Sequence, residues 1–138
     1  MPKIVSYRKH ITTAITRELR LPEENGQRVG QEIATVDGIT YVSLPDGVAL
    51  PADQPAEIAS SIVDPVTLTA DLRKAIKSAS PHVELINRRI AEKIAERYSV
   101  HDEIKLIRTA PSAEFDAYNT YVEECRAWGR AQKAALGL

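Results

Sequence analysis

Cysteine is nearly absent from this chain of 138 residues. The single Cys125 excludes an internal disulfide bond and a zinc site built from cysteines, and a lone thiol fits a reducing compartment. No run of about 20 apolar residues occurs, so no membrane-spanning helix is predicted. The start of the chain, Met1 to Val5, lacks the apolar core of a signal peptide. We therefore expect synthesis in a cytoplasm.

Lysine and arginine are missing from residues 29–66, which hold six acidic residues and four of the eight prolines. Residues 1–28 carry six basic and three acidic residues, and residues 67–138 carry twelve and ten. The net charge of −1 disfavours a nucleic-acid-binding protein, which usually needs a strong basic excess. The basic and acidic segments can pair within the chain or between copies. Two separately solvated surfaces are the expected arrangement.

A β-hairpin is predicted inside the acidic stretch, from Gln31–Val36 and Ile39–Leu44 around Asp37-Gly38. This dipeptide suits a two-residue type I′ turn because both positions take a positive φ. The residues paired across the strands are then Val36 with Ile39, Thr35 with Thr40, Ala34 with Tyr41, and Ile33 with Val42. Both faces of the hairpin carry apolar pairs, so we expect both to be covered, by the chain's own helices or by another chain.

The segments on either side of this hairpin have weaker patterns. Residues 3–21 are rich in β-branched residues without a clean period, which favours strand or irregular structure, and Leu21 to Gly26 is a turn. Val48–Leu50 is predicted to return as a short edge strand. Residues 51–66 are too poor in apolar residues for a core element. A loose linker and an arm laid on a partner both fit this segment.

Four helices with capping residues are predicted after residue 66. Their bounds are Thr67 or Thr69 to Ser78, Ser80-Pro81 to about Tyr98, Ser99 through Ile107, and Pro111 to about Ala135. Gly129 lies inside the last helix, where either a close helix approach or simple tolerance explains it. The sequence therefore predicts an α+β fold, with a β-hairpin and a proline-rich extended arm at 1–66 and a helical domain of about four helices at 67–138.

No arrangement of reactive side chains predicts an active site. Ser99, His101 and Asp102 have the residue types of a hydrolase triad, but side chains on one helical turn cannot form that relay, and helix capping explains Ser99 and Asp102. His10 and His82, like His101, have no metal-ligand partner at i+3 or i+4. The glycines are scattered over turns and helix ends instead of forming a phosphate loop. We expect no enzyme, no cofactor and no metal.

The second predicted helix is basic enough to raise the question of DNA binding. Its basic residues are Arg88, Arg89, Lys93 and Arg97. Glutamates alternate with them at i,i+4 spacings, which favours ion pairs within the helix. This pattern is typical of a solvated face, and we expect no nucleic-acid partner and no membrane partner.

Three runs in the C-terminal half carry a resemblance to a known class of protein. They are RYSVHDEI from Arg97, EFDAY from Glu114 and YVEECRAWG from Tyr121. Over roughly residues 64–138 the chain resembles small bacteriophage and prophage proteins encoded among tail, baseplate and tail-fibre genes. The resemblance has no catalytic motif to transfer, and the front hairpin has no counterpart in it. It implies a protein that acts by binding other tail proteins.

Two functions follow from this resemblance. The first is a non-catalytic structural component of the tail, oligomeric or bound to an oligomer and located in the virion. The second is an assembly chaperone of the tail or tail fibre that is not retained in the particle. For partner contacts the candidates, each with core packing as the competing role, are Val36, Ile39 and Tyr41 on the hairpin and Tyr118, Tyr121 and Trp128 on the last helix. The acidic stretch at 29–66 is where the partner is first expected.

Overall fold

The computed structural model describes residues 2–138 and confirms the predicted α+β class, with strands first and helices after them. The prediction that Met1 to Val5 lack the apolar core of a signal peptide includes Met1, which lies outside the described residues. The strands are β1 Lys3–Tyr7, β2 His10–Ile11, β3 Thr16–Arg17, β4 Glu23–Glu24, β5 Gln27–Arg28, β6 Gln31–Val36 and β7 Ile39–Leu44. The helices are α1 Ala56–Ala59, α2 Ala70–Ala79, α3 Pro81–Arg97, α4 Val100–Arg108 and α5 Ala113–Ala135.

The chain divides into two compact units. Unit 1 comprises the residues up to His82 together with Ala134–Leu138, and unit 2 comprises Val83–Lys133. Helix α2 belongs to unit 1 because it packs against β6. The C-terminus belongs there too, since the Arg73 guanidinium donates a hydrogen bond to the Leu138 carbonyl at 3.1 Å. The units therefore do not follow a boundary at residue 66.

The main sheet of unit 1 has the strand order β1-β7-β6, and all its neighbours are antiparallel. Asp37 and Gly38 have φ of 51° and 78°, which confirms the predicted turn. The three pairs nearest the turn are confirmed, but the predicted pairing of Ile33 with Val42 is wrong. Glu32 lies opposite Val42 because a β-bulge takes Ile33 out of the ladder. The bulge lets the consecutive residues Ile33 and Ala34 both be buried.

Strand β7 lies in the centre of this sheet, and its residues Tyr41 to Leu44 are all buried. The covered hairpin is thus confirmed, and the cover comes from the chain itself. The core cluster beside the sheet consists of Val5, Tyr7, Leu19, Val42, Leu44 and Ile58. The prediction of strand or irregular structure for residues 3–21 is confirmed, since they form β1, β2 and β3 with irregular chain between them. The predicted turn at Leu21 to Gly26 closes at Asn25-Gly26, both with positive φ, to form the small hairpin β4–β5.

Residues 51–66 are part of unit 1, so the interpretations as a loose linker and as an arm on a partner are both wrong. Ile58 on α1 is 0% exposed and belongs to the core cluster. Ser6 and Val63 exchange two backbone hydrogen bonds of 3.0 and 2.8 Å, and the Val66 amide donates to the Ile4 carbonyl at 2.7 Å. The segment docks along the outer edge of β1.

The predicted edge strand at Val48–Leu50 is also wrong, since these residues have no strand structure. The reason is that the places beside β7 and β1 are already occupied. Strands β1 and β6 flank β7, and the chain around Val63 bonds to the free edge of β1. Val48 instead closes a turn, with its amide donating to the Pro45 carbonyl at 3.3 Å.

The helix caps agree with the sequence. Thr69 Oγ1 accepts a hydrogen bond from the Leu72 amide at 3.1 Å, and Ser112 Oγ accepts one from the Phe115 amide at 3.0 Å. Ser99 and Asp102 form a reciprocal capping box at the start of α4. These local bonds satisfy amides that have no partner inside the helix.

Candidate protein-interaction surface

The aromatic residues of unit 2 hold its three helices together. The rings of Tyr98 and Tyr118 meet edge to face with centroids 5.0 Å apart, and the Tyr121 ring is 5.8 Å from that of Tyr98. The Tyr121 hydroxyl donates a hydrogen bond to the Lys93 carbonyl of α3 at 2.6 Å. The Tyr118 hydroxyl donates to the Glu103 carboxylate of α4 at 2.8 Å. These contacts connect α5 to both other helices.

Two of these hydroxyls have a raised pKa. For Tyr118, burial raises the pKa first, and the hydrogen bond to the Glu103 carboxylate raises it further because it favours the protonated form. For Tyr121, burial again raises the pKa, followed by the interaction with Cys125. Both hydroxyls therefore remain neutral donors at ordinary pH.

The structure places the six predicted partner-binding residues in two groups. Tyr118 and Tyr121 belong to the aromatic cluster of unit 2. Trp128 is half-buried on α5, where the Lys93 ammonium lies 4.6 Å from the centre of its ring. In unit 1, Tyr41 is buried within the sheet, while Val36 and Ile39 face each other at the hairpin turn and are half-buried. Their role in binding a partner stays a prediction.

The acidic stretch 29–66 is compensated inside unit 1, so the expectation of two separately solvated surfaces is wrong. Four of its six acids pair with four basic residues of the first 28. The pairs are Lys3–Asp64 at 2.9 Å, Lys9–Glu32 at 2.9 Å, Arg17–Glu57 at 3.5 Å and Arg20–Asp53 at 2.8 Å. A basic partner would have to displace these contacts, which makes the stretch a poorer docking surface than its composition indicates.

Helix α4 presents an apolar face to solvent. Val100, Ile104 and Ile107 are 70%, 45% and 61% exposed, and α4 has no buried residue. Spacings of four and three residues place their side chains in one stripe along the helix. We call these three residues the α4 face. A continuous exposed stripe of large aliphatic side chains is typical of a surface that binds another protein.

Helix α4 is capped at its start and bonded to α5 beside this stripe. The capping box closes its first turn, with the Ser99 amide donating to the Asp102 carboxylate at 3.0 Å and the Asp102 amide donating to Ser99 Oγ at 3.1 Å. The pKa of Asp102 is lowered, mainly by the hydrogen bond from the Ser99 amide and next by the interaction with the Ser99 side chain. Glu103 is held by Tyr118. The α4 face therefore lies on a helix that is capped and anchored.

Sequence reasoning predicted α4 but not its exposed stripe. Apolar residues at these spacings on a capped segment are the same signal that a buried helix gives. Which side of a short helix is covered depends on where α3 and α5 pack, and the pattern of α4 itself does not contain that information.

Within residues 2–138 no group of three or more His, Cys, Asp and Glu side chains is arranged to hold a metal ion. None of the helices described is both long and apolar enough to span a bilayer. The chain matches no protein-family model, and no curated protein and no solved structure has significant similarity to it.

Proposed function

We propose that this protein is a non-catalytic structural component of a bacteriophage tail, associated with the baseplate or tail fibre, that acts by binding other tail proteins. The observation that carries the proposal is the α4 face, which exposes three large aliphatic side chains on an anchored helix. It lies inside the region, about residues 64–138, where the sequence resembles tail-region proteins. Burying such a stripe against another protein is favourable because it removes apolar surface from water.

Mass spectrometry of purified particles tests this proposal. Particles from a host carrying the gene are separated from free protein on a density gradient, and this chain is quantified against the tail proteins. We expect a fixed ratio to the tail proteins across particle preparations. A chain that is bound to a fibre or tube protein in the lysate but missing from particles would instead be an assembly chaperone, and that result would overturn the structural proposal.

A further inference from the structure

We infer that the α4 face binds an acidic amphipathic helix of a partner protein, with its apolar stripe on Val100, Ile104 and Ile107 and its carboxylates against the basic side of α4. This inference rests on the proposed function and names the class of partner. Its first basis is geometric. A stripe with spacings of four and three residues accepts the matching stripe of another helix, because both present side chains in rows along the axis.

The second basis is the charge beside the stripe. His101 and Arg108 are seven residues apart, so they lie along one border of the α4 face, and Lys105 lies between them and slightly behind. Within residues 2–138 none of the three forms an ion pair within 4 Å, and the charges of Lys105 and His101 act on Asp102, whose pKa they help to lower after the bonds from Ser99. All three are exposed.

Both acidic residues of α4 accept hydrogen bonds within unit 2. The Asp102 carboxylate accepts one from the Ser99 amide, and the Glu103 carboxylate accepts one from the Tyr118 hydroxyl. The helix therefore offers an apolar stripe with basic groups along one border, while the opposite border holds Glu103, which is half-buried and accepts the Tyr118 hydrogen bond. The complementary surface is an apolar stripe bordered by Asp or Glu.

A second copy of this chain fits the α4 face poorly. Antiparallel pairing of two α4 helices about a two-fold axis places the two basic borders side by side, which is repulsive. Parallel pairing places the basic border opposite a single carboxylate, that of the half-buried Glu103, because Asp102 lies on the far side of the helix in the capping box.

Two synthetic helical peptides test the inference with the full chain. Both carry the same leucine stripe, and the border positions are all glutamate in one peptide and all lysine in the other. Fluorescence anisotropy measures their binding. We expect the glutamate peptide to bind at least about tenfold more tightly than the lysine peptide, by a margin that shrinks as salt is raised.

Variants identify the surface. The double substitution Ile104→Ser and Ile107→Ser is expected to abolish binding of the glutamate peptide. Lys105→Glu with Arg108→Glu is expected to reverse the preference between the peptides, which a merely misfolded protein would not do. Ile11→Ser is the control, because Ile11 is an exposed isoleucine that lies in unit 1. Circular dichroism confirms that each variant keeps its helices.

Several results would overturn the inference. They are equal binding of the two peptides, no binding of either, binding that survives the Ile104 and Ile107 substitutions, and a dimer in sedimentation that those substitutions dissolve. The last result would assign the α4 face to a second copy. Failure here differs from failure of the proposed function. A chain present in particles that ignores both peptides contradicts only the helix partner, whereas a chain absent from particles that binds the glutamate peptide contradicts only the tail-component proposal.

Discussion

Gly129 of α5 lies directly against Ile90 of α3, so close that a β-carbon at residue 129 would overlap the Ile90 side chain. Further along, Tyr121 contacts Lys93, and Tyr118 contacts Tyr98 just after α3. Residue numbers rise along α3 while they fall along α5, so the two helices are antiparallel. A glycine inside a helix costs about 1 kcal/mol relative to alanine. The close approach explains why glycine stands at this position, and simple tolerance is not needed as an explanation.

Gly129→Ala should destabilise unit 2 even though alanine is the better helix former. The added methyl forces Ile90 out of its position, and overpacking of this kind costs about 1–3 kcal/mol. Ile90 has little freedom to move because β-branched side chains are restricted to few rotamers in a helix. Denaturant unfolding measures the effect. In the Ile90→Ala background the penalty should disappear, and an equal penalty in both backgrounds would contradict the contact. Ala127→Gly, on the exposed side of α5, measures how much the difference in helix propensity between alanine and glycine contributes to the free energy of unfolding.

Ile58→Ala should destabilise unit 1 by about 2–5 kcal/mol, because Ile58 is fully buried in the core cluster and its truncation leaves a cavity. The same substitution in a linker would have almost no effect. Val63→Ala is the matched control: Val63 belongs to the same segment but is 50% exposed, and its backbone bonds to Ser6 remain. Thermal unfolding and limited proteolysis of the two variants distinguish a docked segment from a linker. Equal stability of the two variants would show that the segment does not dock.

The features predicted correctly from sequence are those that neighbouring residues determine. Ser99 and Thr69 cap helices because their hydroxyls reach amides three residues ahead, whatever the rest of the chain does. The bulge at Ile33 and the docking of Ile58 depend on segments far away in the sequence, and short apolar patterns do not specify them. The exposure of Ile104 likewise depends on how α3 and α5 pack, so the pattern of α4 alone does not predict it.

The ion pairs of unit 1 should stabilise it unequally. Arg20 and Asp53 have side chains that are 62% and 78% exposed, so Arg20→Gln should cost well under about 0.5 kcal/mol. Lys9 is 22% exposed and lies between Glu18 and Glu32. Burial lowers the pKa of Lys9, but the hydrogen bond and charge of Glu32 outweigh it and the net pKa is raised.

Lys9→Gln should therefore cost more than Arg20→Gln, by up to about 1 kcal/mol. Unfolding measured at low and high salt checks the order, because screening should narrow the difference between the two variants. A larger loss from Arg20→Gln than from Lys9→Gln would contradict the ranking by exposure.

The capping box of α4 should make unit 2 sensitive to acid. Ser99→Ala removes one of its two bonds and should cost about 1 kcal/mol. The pKa of Asp102 is lowered below its ordinary value of 3.8 by the Ser99 amide, so its contribution is full above that value and is lost as pH falls through the lower folded pKa. Asp102→Asn should remove this acid dependence. Urea unfolding of unit 2 between pH 2 and 6 measures it, with Glu114→Gln at the start of α5 as the control.

The hydroxyl of Tyr118 should hold α4 in place against α5. Tyr118→Phe keeps the ring contact with Tyr98 but loses the hydrogen bond to Glu103, at a cost of about 1 kcal/mol. Because the pKa of Tyr118 is raised above 10.0, the contribution is complete below that pH and is lost as pH rises through the higher folded pKa. Hydrogen exchange should show faster exchange of α4 amides in this variant.

Glu103→Gln provides the control, because the amide oxygen still accepts the Tyr118 hydroxyl but carries no charge. It should weaken α4 protection less than Tyr118→Phe does, and the pKa of Tyr118 should fall, since a carboxylate beside the hydroxyl is one of the groups that raise it. Ultraviolet titration of the tyrosines measures that pKa. Unchanged exchange of α4 in Tyr118→Phe would mean that the capping box and the packing of the half-buried Leu106 position the α4 face without this hydrogen bond.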